Sequence, residues 1–157
     1  MKTATLHEIK LELNSLLPAD VVELCTRLAR FKKENKELLT YLLFEAHNEQ
    51  NYIDSVKKLI DEEFAEIKNP NLYFIKKTLR KILRITNKYA RYSGSKTVEI
   101  ELLIHFCMKL KKSEIPFHNS TAISNLYLQQ IKKIKSTLTG LHEDLQYDYI
   151  RQVEILS

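Results

Sequence analysis

Apolar residues recur at helical spacing along nearly the whole chain, so the breaks between runs carry the information. Leu6, Ile9, Leu13, Leu16 and Leu17 mark a first helix over about 4–16. Pro18 opens a second, which carries Val21, Val22, Leu24, Cys25 and Leu28 to about Phe31. The polar patch Lys32-Lys33-Glu34-Asn35 divides it from a third over about 36–46. In that helix Leu38, Leu39, Tyr41, Leu42, Leu43 and Phe44 point nearly all round, the pattern of a helix buried on every side. Asn48 caps a fourth helix, about 49–68, and Asn69-Pro70 supplies a cap and a first-turn proline for a fifth, about 71–93. Gly94 ends that helix. A sixth, about 96–112, is apolar over ~200° of its wheel and is therefore central. After a loop at about 113–119 come a seventh helix, about 121–138, and an eighth, about 142–155; whether Gly140 separates them stays open.

Helices joined by short loops run mostly antiparallel to their neighbours. The expected fold is all-α: a single domain over 1–157 in which seven to eight antiparallel helices stack as pairs. Such a stack is a short α-α superhelix of HEAT or armadillo type, with a pair spacing of roughly 35–40 residues. A closed helical bundle is the alternative. Two glycines and three prolines in 157 residues support helices, because hairpin-rich β folds need such residues at their turns.

The fifth helix changes the picture. Between Leu72 and Tyr92 there is no acid, glycine or proline. At 100° per residue Arg80, Arg91, Arg84, Lys77, Lys88 and Lys81 follow one another about 20° apart, opposite Leu72, Ile75, Leu79, Ile82, Leu83 and Tyr89. Tyr73 lies within the basic arc and Tyr92 near its edge. These residues form the candidate binding surface. Arginines suit bidentate contact with phosphate, and an exposed tyrosine can stack on an unpaired base. Against this stands the preceding helix: residues 45–68 hold seven acids and three lysines, so the two helices can neutralise each other as a hairpin. The acidic helix of one copy can also meet the basic helix of another. The net charge of +5 suits weak attraction to acidic partners.

No sequence motif carries catalysis. His105 lies between Glu101 and Lys109 on the polar side of its helix and reads as an exposed histidine; His105 and Cys107 point ~200° apart and cannot share a metal. Glu62 and Glu66 are one turn apart, but a di-metal bundle also needs Glu-x-x-His motifs, and there are none. His47, His118 and His142 have no nucleophile beside them, and two distant glycines exclude a phosphate loop. Cys25 and Cys107 read as small buried hydrophobes in a reducing compartment. With no signal-peptide core and no long apolar run, a cytoplasmic, membrane-free protein is expected.

Leu17-Pro18-Ala19-Asp20-Val21-Val22-Glu23-Leu24, followed by Lys33-Glu34-Asn35-Lys36-Glu37-Leu38-Leu39-Thr40-Tyr41-Leu42, resembles the start of small, conserved but uncharacterised bacterial helical proteins. The resemblance covers roughly the first 45 residues and implies a helical cytoplasmic bacterial protein without assigned activity. It implies no functional residue. The expectation is a non-enzymatic interaction or scaffold domain without cofactor or metal, which binds a protein partner or itself through the basic face. The alternative is an RNA- or DNA-binding protein using the same residues.

Overall fold

The computed structural model describes residues 2–68, 70–116 and 119–156. Among them there are eight α-helices and no strand: α1 (Leu6–Ser15), α2 (Pro18–Phe31), α3 (Lys33–Thr40), α4 (Glu49–Ala65), α5 (Leu72–Ser93), α6 (Lys96–Lys112), α7 (Thr121–Leu138) and α8 (Glu143–Leu156). The all-α class is as expected. None of these helices is long and apolar enough to cross a membrane. By its contacts the chain divides into two compact units, Met1–Phe44 and Glu45–Ser157.

In the first unit, α1 begins with a capping box. Thr5 Oγ1 accepts from the Glu8 backbone N–H, and the Glu8 carboxylate accepts from the Thr5 N–H at 2.7 Å. These bonds hold the Glu8 carboxyl below its usual pKa, the backbone bond first. Helix α2 starts with Pro18 at a position where its missing N–H costs nothing. It ends at Lys32, the one extended residue before α3. The expected polar break is therefore mostly the first turn of α3. Asn35 Nδ2 donates to the Leu28 carbonyl at 2.9 Å, satisfying a helix-end acceptor across the corner.

Helix α3 runs into a π-helical turn, Tyr41–Glu45, which shifts the side-chain periodicity. The all-round burial expected of this segment is not found. Tyr41 is buried, but Leu42, Leu43 and Phe44 are more than half exposed. No residue of α1, α2 or α3 is buried, and α1 packs against no other helix to the extent that α2 packs on α3.

The second unit holds the core. Helix α6 packs on α4, α5, α7 and α8, and Val98, Ile100, Leu102, Leu103, Phe106, Cys107 and Leu110 in it are completely shielded from solvent. Burying one such side chain contributes roughly 1.5–3 kcal/mol. Its cap, Ser95, accepts from Val98 N–H. Helix directions follow from paired residues. The Tyr52 hydroxyl donates to the Tyr89 carbonyl while Glu63 meets Lys81, so α4 and α5 are antiparallel. Lys57 meets Glu101 and Asp61 meets His105, so α4 and α6 are parallel. Helices α4, α6 and α8 begin 47 residues apart, a longer pair spacing than the sequence suggests. This helix-pair packing is that of a helical bundle or short superhelix.

Gly140 lies in the break between α7 and α8. Gly94 caps α5 at φ 65°, in the left-handed region. The cap of α5 is Asn71, whose side chain accepts from Tyr73 N–H; Pro70 precedes the helix, and Asn69 lies outside the described residues.

Candidate basic face of helix α5

The sequence between Asn71 and Gly94 specifies one long helix with two unlike sides. Ile75, Leu79, Ile82, Leu83 and Ala90 are buried, together with Thr86, whose hydroxyl donates to the Ile82 carbonyl. The packing of this apolar side turns the cations outward. Lys77, Arg80, Lys81, Arg84 and Arg91 are exposed and Lys88 is half-buried.

The adjacent acidic helix takes one of the six. Lys81 Nζ lies 2.7 Å from a Glu63 oxygen and 2.9 Å from the other. Lys88 instead sits over the rings of Tyr89 at 4.8 Å and Tyr92 at 6.0 Å. Lys77, Arg80, Arg84 and Arg91 make no ion pair or side-chain hydrogen bond among the described residues. They follow one side of the helix over about 21 Å at 1.5 Å per residue. Arg80 also lines a cleft of about 360 Å³ with Asn125, Gln129 and Gln130 of α7. Tyr73 is 71% exposed at the start of α5, edge-on to Phe74 at 5.4 Å, and far along the axis from Arg91 despite sharing its angle.

One acid of α4, Asp61, and one of its lysines, Lys57, enter a charged seam with α6 that local spacing on either helix does not reveal. Lys57 pairs with Glu101, which also accepts from the buried Tyr149 hydroxyl; burial and that carboxylate push the Tyr149 pKa up. Asp61 Oδ1 lies 2.6 Å from His105 Nε2 and 3.1 Å from Lys109 Nζ. His105 is thus a packed, hydrogen-bonded side chain and not an exposed one. The available signal was a pair of rows at i, i+4 spacing, Lys57–Asp61 and Glu101–His105–Lys109, whose charges match when α4 and α6 lie parallel. On α7, Lys133 pairs with Glu99 and donates to Asn87, both at 2.7 Å.

Cys107 is buried, and desolvation raises its thiol pKa to about 12, far from a reactive thiolate. Cys25, expected to be buried too, is only half-buried. Glu62 and Glu66 have no metal-ligand set around them: among the described residues no three His, Cys, Asp or Glu side chains cluster to hold an ion. His47 precedes α4 and His142 precedes α8, where it lies 3.3 Å from Asp144. His118 lies outside the described residues. No family model, curated protein or solved structure matches this chain.

Proposed function

We propose that this protein is a non-catalytic helical interaction module whose working surface is the basic face of α5 and whose partner is acidic. The observation that carries this reading is that an acidic helix lies alongside α5 and still leaves Lys77, Arg80, Arg84 and Arg91 without an ion-pair partner among the described residues. A face built for self-neutralisation would spend its cations on the acids nearest to it. Among the described residues Asp61 is spent on α6, and Glu63 is the one acid of α4 in an ion pair with α5.

Nucleic acid is the second reading, favoured by one specific arrangement. Arg80 opens onto a cleft whose amide side chains, Asn125, Gln129 and Gln130, can bond base edges, while Tyr73 offers an exposed ring for stacking. A test is fluorescence anisotropy of the full chain against a labelled single-stranded RNA and a labelled acidic peptide, each over a salt series. Single-strand binding through four phosphates should give a log–log salt slope of roughly −3, at about −0.7 per contact. Arg80→Glu, Arg84→Glu and Arg91→Glu together should abolish binding of the preferred probe while circular dichroism stays unchanged. Undiminished binding by that triple variant would refute the reading.

A further inference from the structure

Of the twenty-one large hydrophobic residues exposed among the described ones, fourteen lie in the first unit. They are not scattered. Leu17, Val21, Leu24, Leu28 and Phe31 alternate spacings of four and three along α2, the heptad seam of a helix that packs against another helix. Helix α3 packs beside this seam: Cys25, Ala29 and the edge of Leu28 line a hollow with Asn35, Leu38 and Leu39, while the rest of the seam faces away from it. Leu17, Leu28 and Phe31 remain 70%, 59% and 76% exposed.

The charges beside the seam indicate what covers it. Asp20 and Arg27 flank it at the same heptad position, one near each end, and neither has an ion-pair partner among the described residues. We infer that α2 pairs antiparallel with α2 of a second copy about a two-fold axis, each Asp20 meeting the other chain's Arg27. Two apolar registers are open to such a pair. One sets Leu17 against Leu28 and Val21 against Leu24, and it brings Asp20 level with Arg27 at both ends. The other sets Val21 against Phe31 and Leu24 against Leu28, and it apposes the two Arg27 side chains. A parallel pair would put Arg27 beside Lys32. Charge therefore selects the first register, and the opposed helix dipoles agree with it. A hollow of about 230 Å³ lined by Leu16, Asp20, Glu23, Leu24 and Arg27 lies where the partner's side chains would enter. At fourteen residues the seam is about 21 Å long, short enough that the dimer should exchange with monomer.

Sedimentation equilibrium of the full chain tests this. The parent should shift from one chain to two as concentration rises. Asp20→Arg and Arg27→Asp, each alone, should weaken association by roughly tenfold or more, since two rim pairs turn from attractive to repulsive. An equimolar mixture of the two variants should associate again, because each then supplies the charge that the other lacks. That rescue cannot come from misfolded chains, and circular dichroism of each variant checks the helices independently. A parent that stays monomeric at all concentrations, or single variants that associate as the parent does, or a mixture that shows no gain over its components would overturn the inference.

Discussion

At Gly94 the backbone enters the left-handed region, and a Cβ there would meet no neighbour within 4 Å, so strain is the sole cost of adding one. Gly94→Ala should destabilise the second unit by about 1 kcal/mol in urea denaturation, the cost of placing an L side chain in that conformation. Space is no explanation there, and an unchanged midpoint would contradict it. Cys107 and Tyr127 make a different residue-scale statement. Burial keeps both neutral, raising each pKa to about 12; the unfolded thiol and phenol ionise near 9 and 10. Raised folded-state values contribute stability that is complete below pH 9 and lost as the pH rises toward 12. The urea midpoint should therefore hold up to pH 9 and fall steeply above it; a flat profile would argue that these groups are hydrated. Gly94 was legible because the chain requires glycine locally. His105 was not, because its partner Asp61 is 44 residues away and only the parallel packing of α4 and α6 joins them.

At the element scale, several boundaries were legible from a proline, a cap or a glycine, and others were not. Pro18, Asn48 and Gly94 mark helix ends where the structure has them, whereas the cap of α5 is Asn71, with Pro70 before the helix. The miss at Lys32 has a physical cause: one extended residue suffices to turn the chain, and the polar residues after it open a helix as readily as they fill a loop. The miss at 41–45 is of another kind. A hydrophobic run that covers the whole helical wheel signals burial only if something covers it, and here the run enters a π turn in a unit without a core. The broad apolar arc of α6, by contrast, does signal burial, because four helices surround it. Phe106 touches the Phe64 ring at 5.4 Å and is wholly buried. Phe106→Ala should cost about 3–5 kcal/mol in the unfolding free energy, whereas a cost below about 1 kcal/mol would deny α6 its central place.

At the scale of the whole molecule, the two units use their hydrophobic residues differently. The second buries them around α6 and directs a basic face outward; the first leaves them at the surface. Sequence composition could not separate these cases, since leucine-rich helices make up both. Nor could it say which cations of α5 remain unpaired, because that depends on how α4 divides its acids between two neighbours. The basic face depends on that division, with Lys81 spent on Glu63 and Arg84 unspent among the described residues. The most direct measurement compares Arg84→Gln with Lys81→Gln in the anisotropy titration at low salt. The account predicts that loss of Arg84 weakens binding several-fold and lowers the salt slope by about 0.7, while loss of Lys81 changes affinity by less than about twofold. Equal losses from both, or none from either, would contradict it.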